Sequence, residues 1–205
     1  MRRFLIILAV LLSGALIAGS IFAFVTVRKS FPDTSGEVRL NALRSDVTVQ
    51  RDDKGIPQIY ADTLEDLFFA QGYVHAQDRF WQMEFWRHIG AGRISEITGE
   101  PGVENDTFIR TLGWNRVAEF NAAYYEQNEP EAWAVLQAYA DGVNAYVDQN
   151  RNQLSLNQSV LNLVNEPWEI EPWTPKNSLS WAVVMSYDLS SNFRDEISRV
   201  ETAQL

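Results

Sequence analysis

The chain has 205 residues, 46% of them hydrophobic and 21% charged, which excludes a disordered tail and bounds it to one or at most two folded domains. Four of the 17 basic residues, Arg2, Arg3, Arg28 and Lys29, precede Ser30 and none of the 27 acidic residues does, so the remainder carries a net charge of −14. Such a body repels nucleic acid and carries no basic patch, and the lack of cysteine rules out disulfides and thiolate-bound zinc.

The run Phe4 to Val27 has no charged residue and follows Arg2 and Arg3. At 1.5 Å per helical residue it is long enough to cross the roughly 30 Å hydrocarbon core of a bilayer. Two readings compete. A cleaved signal would use the small residues Ala15, Ala18, Gly19 and Ser20, whereas an uncleaved anchor would use the whole run and stop at Arg28 and Lys29. The amino-terminal arginine pair favours that end staying inside, and either reading exports the body to the periplasmic or extracellular face. The organisation expected is therefore a signal peptide or anchor over 1–29, a polar linker over 30–37 and one body over 38–205. No internal repeat or low-complexity segment interrupts that body.

Within the body, Val47, Val49 and Arg51 alternate with Thr48 and Gln50, Asp52 to Gly55 supplies turn residues, and Ile56 to Tyr60 resumes an apolar run; this predicts a β-hairpin. Asp62, followed three residues later by Glu65, reads as a capping pair opening a long helix. Phe69, Tyr73, Ala76, Phe80 and Met83 form one helical stripe, while Phe68, Trp81, Phe85 and Trp86 lie outside it. Such a helix is sandwiched between other elements. Gly72 within it costs about 1 kcal/mol relative to Ala, and close approach of another element is the usual reason for tolerating that. A second helix starts near Pro130 and buries Trp133, Leu136, Tyr139 or Ala140, Val143 and Tyr146. A third starts at Thr174 and Pro175 and runs through Trp181 to about Asp188. The pattern through Ile197, Val200 and Glu201 continues to Leu205, so the chain reads as the first part of a longer product.

Residue chemistry alone yields no active site. His75 and His88 are the only histidines, and each reads as a helix-surface pairing residue, His75 with Asp78 and Arg79 and His88 with Glu84. The serines form no nucleophile elbow, and neither a zinc motif nor a phosphate-binding glycine loop is present. The seven Trp, seven Tyr and eleven Phe exceed what one small domain needs, which implies that a partner surface covers some of the rings.

The stretch GYVHAQDRFWQME from Gly72 to Glu84, followed by GAGRISE from Gly90 to Glu96, resembles the penicillin acylase family of N-terminal-nucleophile hydrolases, in its amino-terminal (α) portion. The resemblance extends from about Val47 to the end. It implies an α+β fold, the αββα sandwich of these hydrolases, of which this chain supplies the mostly helical α-subunit part with a few strands. It also implies a heterodimeric partner, a larger β chain released from the same precursor by autoprocessing and beginning with the nucleophile. Under that implication no catalytic residue lies in this chain. Asp78, Arg79, Arg93, Ser95 and Glu96 take structural roles, with Asp78 and Arg79 on different helix faces and pairing with other elements.

The segment Trp173 to Val200 is similar to the family's α-chain helix and following loop. Aligned without gaps from Trp173, it puts Glu196 where the family uses a glutamate to bind a structural Ca2+ shared with the larger chain; a solvated pair with Arg199 or Arg194 is the alternative role. It puts Ser186, Leu189 and Ser190 where penicillin G acylases line the acyl pocket with larger or charged side chains. Smaller and aliphatic residues there argue against an aromatic phenylacetyl pocket and for a roomier or aliphatic one, though ordinary helix-end packing and capping would use the same residues. The activity implied is hydrolysis of a small-molecule amide by acyl transfer to an amino-terminal serine, whose own α-amino group is the base, with no organic cofactor. Two other readings stay open: an acylase acting on N-acyl homoserine lactones, and a non-enzymatic binding module tethered to the membrane through residues 4–27.

Overall fold

Apolar residues recur at helical spacing over most of the chain, and helices follow. The computed structural model describes residues 2–151, 154–164, 170–190 and 192–203. The final two residues, into which the terminal helical pattern was expected to run, lie outside the described residues. Contacts divide the chain into two units, 1–39 with 147–170 and 40–146 with 171–205.

In the first unit, α1 (Arg2–Lys29) takes up the uncharged run. Its stretch Ile6–Lys29 is long and apolar enough to cross a membrane, and none of that stretch is buried within the protein. The other element is α7 (Leu156–Val164), opened by Ser155, whose Oγ accepts a hydrogen bond from the Gln158 N–H at 3.0 Å.

The second unit begins with the expected hairpin, β1 (Thr48–Arg51) and β2 (Pro57–Tyr60), paired antiparallel with Thr48 opposite Tyr60 and Arg51 opposite Pro57. The turn is fixed by Asp52, whose Oδ1 accepts from the N–H groups of Lys54 and Ile56 at 2.9 and 2.8 Å. Next comes α2 (Leu64–Ala91), the long helix, with a break from helical geometry at Arg79. The expected capping pair is corrected by one residue. Thr63 is the cap, accepting from the Asp66 N–H at 3.1 Å, because only Thr63 combines an extended backbone with a hydroxyl facing the first turn. Asp66, two residues into the helix rather than at its edge, turns back to accept from the Arg44 N–H at 3.0 Å and the Ser45 hydroxyl at 3.1 Å, which ties the segment before the hairpin to the helix start.

After α2 come the single turn α3 (Ser95–Thr98), a 3-10 turn over Glu100–Gly102, α4 (Val103–Leu112) and α5 (Trp114–Asn128). Then follow α6 (Pro130–Asn150), α8 (Pro175–Ser190) and α9 (Phe193–Ala203). The helices expected at Pro130 and Pro175 are thus present, the latter with Asn177 reaching back to the Thr174 N–H at 2.8 Å. α2 is sandwiched as expected, with α4, α5, α8 and β2 against it. One part of the core gathers Ile109, Trp114 and Val184, with Trp86, Leu112, Val183 and Tyr187 packed around them.

Two glycine contacts set how closely α2 is approached. A Cβ at Gly72 would lie 2.0 Å from the Tyr139 carbonyl oxygen, and one at Gly142 would lie 1.9 Å from that of Phe69, so α2 and α6 cross backbone to backbone. The close approach expected at Gly72 is therefore present, and it is reciprocal. Gly90 lets α8 in similarly, a Cβ there falling 2.4 Å from the Ser180 hydroxyl.

Candidate functional site

The block from Gly72 to Glu96 carries a dense set of charged side chains, and its geometry is architectural. Glu84 is 1% exposed and binds the Arg87 guanidinium one turn on, with Nη2 donating to Oε1 at 2.7 Å. Arg87 also donates to the backbone carbonyls of Glu171 and Pro172 at 2.9 and 3.4 Å and lies over the Trp173 ring, 5.6 Å from its centroid. This one buried cation therefore holds the segment leading into α8 against α2. Asn144 of α6 completes the clamp, exchanging two hydrogen bonds with the Trp173 backbone at 2.7 and 2.9 Å.

His88 corrects its expected place on the surface. It is buried, its Nδ1 lying 2.9 Å from the Glu84 carbonyl oxygen and its Nε2 3.8 Å from the Glu96 carboxylate, because the turn at Gly92 brings the following chain back over this face of the helix. His75 is exposed as expected, but its hydrogen bond goes to the Tyr139 hydroxyl of α6 at 3.0 Å rather than along its own helix. Partial desolvation of the ring holds the His75 imidazole below its ordinary pKa against the opposing pull of Asp78. Burial pushes the Tyr139 phenol up to about 12.

Asp78 behaves as expected of a residue pairing with another element. Both its oxygens accept from Arg51 on β1 at 2.8 Å, which fixes the hairpin on α2. Arg79 does not, since it has no such partner among the described residues. At the end of α2, Gly92 turns the chain in the left-handed region (φ 65°) and its carbonyl accepts from Arg110 Nε at 2.7 Å. Arg93 then grips Glu96 and Glu171 in paired hydrogen bonds of 2.7 to 3.0 Å. The Arg93 guanidinium beside them holds both carboxyls below the usual range. Ser95 and the Ile94 N–H are both held by the buried Asp106 carboxylate of α4, which caps α3 from a distance.

The residues expected to line an acyl pocket, Ser186, Leu189 and Ser190, share one exposed face at the end of α8. Leu189 is 75% exposed. The Ser186 and Ser190 hydroxyls donate to the backbone carbonyls of Ala182 and Tyr187 at 2.8 and 2.9 Å. Glu196 lies on the first turn of α9 and accepts from Arg199 at 2.9 Å, in an exposed pair. Among the described residues, no three histidine or acidic side chains gather as a metal site would require.

Sequence reasoning missed Arg87, Asp106 and Asn144. The three-residue spacing of Glu84 and Arg87 was a usable signal for the first. Asp106 and Asn144 serve segments 11 and 29 residues away, which no local pattern reveals.

The penicillin amidase family model matches residues 46–205. The chain is 33% identical over 175 residues to the acyl-homoserine lactone acylase QuiP of Pseudomonas aeruginosa, covering 85% of this chain and 20% of that protein. It is 37% identical over 147 residues to the penicillin acylase 2 proenzyme of Pseudomonas sp. (strain SE83), covering 72% and 18% respectively. Among solved structures, a thermostable penicillin G acylase from Alcaligenes faecalis matches with a TM-score of 0.59 and 25% identity, over 78% of this chain and 81% of that one. The fold is therefore that of the N-terminal-nucleophile hydrolases, with this chain contributing helices and one two-stranded sheet. The chain spans about a fifth of the length of the curated relatives it matches.

Proposed function

Because the chain belongs to the penicillin amidase family, we propose that it is the amino-terminal part of an exported amidohydrolase that cleaves the acyl-amide bond of N-acylated small molecules. The observation that carries this reading is the family match across 46–205, joined by relatives that are acylases of two kinds. The nucleophile is the amino-terminal serine of a larger chain from the same precursor, as the proenzyme relative supports. A free α-amino group, with a reference pKa near 8, serves as its base at neutral pH, so no histidine is needed. The two histidines here agree with that, since His88 is buried against Glu84 and His75 is bonded to Tyr139.

The part played by residues 1–205 is to shape and support. The charge clamps hold α8 rigidly on α2, and the free end of α8 presents Ser186, Leu189 and Ser190 to the acyl group. Small and aliphatic side chains there fit an extended aliphatic acyl chain better than a phenylacetyl ring. That favours a second, narrower reading, an N-acyl homoserine lactone acylase, which the similarity to the Pseudomonas aeruginosa protein also supports. The apolar α1 is the signal or anchor that puts the enzyme outside the cytoplasm.

Calcium takes six to eight oxygen ligands. Glu196, in an exposed pair with Arg199, would supply one carboxylate to an ion whose other ligands the larger chain provides, and no step of the reaction is assigned to the ion.

The test is to express the complete product and profile it against phenylacetyl amides, β-lactam amides and N-acyl homoserine lactones of increasing chain length. Hydrolysis of any of these supports the amidohydrolase, and preference for long acyl lactones selects the narrower reading. A folded, exported product that cleaves none of them contradicts both and leaves a tethered binding module.

A further inference from the structure

The unit formed by residues 1–39 and 147–170 turns apolar side chains outward in both of its helices. α1 runs unbroken through Ala15, Ala18, Gly19 and Ser20, the small residues a leader peptidase would need. Ile21, Phe22, Phe24, Val25 and Val27 follow them, and all five are exposed. Cleavage at the small residues would leave that apolar face at the start of the mature chain. The stretch Ile6–Lys29 has 24 residues, well beyond the roughly 7 to 15 of a leader's apolar core.

α7 repeats the pattern on a smaller scale. None of its nine residues is charged. Gln158 is 7% exposed and Val160 is 49% exposed, so the amide is turned inward and the aliphatic side chain outward. A helix facing water has the opposite arrangement. α7 packs against α1, and among the described residues of α1 only Thr26, near its carboxyl end, is partly shielded. Arg28 and Lys29 close the span just beyond, where cations suit a layer of lipid phosphates.

We propose that α1 is a retained anchor and that α7 lies in the outer surface of the same bilayer, with Val160 in contact with lipid. Residues 1–39 and 147–170 then form one membrane-docking unit with two points of attachment. The proposal deepens the reading of α1 as a signal or anchor and rests on it. A phospholipid bilayer is the occupant because α7 packs against a helix of spanning length, whose shielding is confined to the end that meets the membrane surface.

The experiment uses the full-length product carrying p-benzoylphenylalanine at Phe22 or, separately, at Val160, in vesicles of phosphatidylethanolamine and phosphatidylglycerol. Irradiation should give lipid adducts at both positions, and the smaller chain should begin at Met1 or Arg2 and resist extraction by alkaline carbonate. Adducts at Phe22 alone overturn the role of α7, as do adducts joining position 160 to another segment of protein. A smaller chain that begins beyond Ala15 and is released as soluble enzyme overturns the proposal. If that released enzyme still hydrolyses amides, the amidohydrolase reading stands. An anchored product labelled at both positions that cleaves no amide supports the docking unit and sinks only the amidohydrolase reading.

Discussion

The crossing of α2 with α6 and α8 and the free end of α8 with α9 are both helical, yet they are built on opposite terms. At the crossing, backbones touch at Gly72 and Gly142, and Glu84 and Arg87 are buried as a pair with every neighbour specified. At the other end, Leu189 is 75% exposed, and among the described residues the serine hydroxyls bond only to their own helix and the Glu196 carboxylate meets only Arg199. The first region is held together by contacts within this chain. The second presents side chains whose chemistry depends on what is brought to them. The stretch of sequence most telling of the family, Gly72 to Glu96, is therefore architecture, and the residues carried over as functional lie on an unfinished surface.

The sharpest way to break this contrast is to remove one side of the buried pair. Arg87→Met should leave Glu84 as an unpaired buried charge and cost about 3 to 5 kcal/mol in chemical unfolding. The double variant Glu84→Leu with Arg87→Met should recover much of that, and a simple sum of losses would show that the two are not coupled. Next in size, Gly72→Ala and Gly142→Ala should each cost about 2 to 3 kcal/mol. The added methyl meets a carbonyl of the facing helix, and the gain in helix propensity, about 1 kcal/mol, does not offset that. A neutral outcome at either site would mean the helices are not in backbone contact.

Much of this was legible from local pattern. Gly72 announced a close approach, the hairpin followed from alternation around Asp52 to Gly55, and Pro130 and Pro175 marked helix starts. The helix start at Thr63 was also legible, since a hydroxyl followed three residues later by an acid is the stronger signal, and the spacing of Asp62 and Glu65 obscured it. What was hidden depends on tertiary placement. Whether His88 is buried is decided by the chain turning back at Gly92 to bring Glu96 against it, and the choice of Asp106 to cap α3 is decided by the fold of the intervening turn. The positions proposed to face the acyl group came only through family resemblance, because Ser186, Leu189 and Ser190 have no distinguishing chemistry of their own.

A smaller effect sharpens the comparison through pH. The Arg44 N–H holds the buried Asp66 carboxyl below its ordinary range, helped by Thr63 and Ser45. Its stabilisation is complete above the ordinary carboxylate pKa and is lost as the pH falls through the lowered folded value. Asp66→Ala should therefore cost about 1 to 3 kcal/mol at pH 7, and the gap from the parent protein should close at strongly acidic pH in urea titrations. A gap independent of pH would show that the carboxylate charge is not what matters.

The smallest stability effects belong to the open surface. Leu189→Arg and Glu196→Gln should each change unfolding by no more than about 0.5 kcal/mol. Leu189→Arg should nevertheless lower kcat/KM of the processed enzyme on long aliphatic acyl amides by about tenfold, measured against unchanged thermal stability. A loss of stability without change in acyl preference would return Leu189 to ordinary packing.

The central claim is that this chain is the amino-terminal part of a processed hydrolase, and it is tested most directly by sequencing the chain termini of the mature full-length product. Two chains, the larger one beginning with serine and held to the smaller without a covalent bond, is the predicted result. A single uncleaved chain that folds and is exported would contradict it.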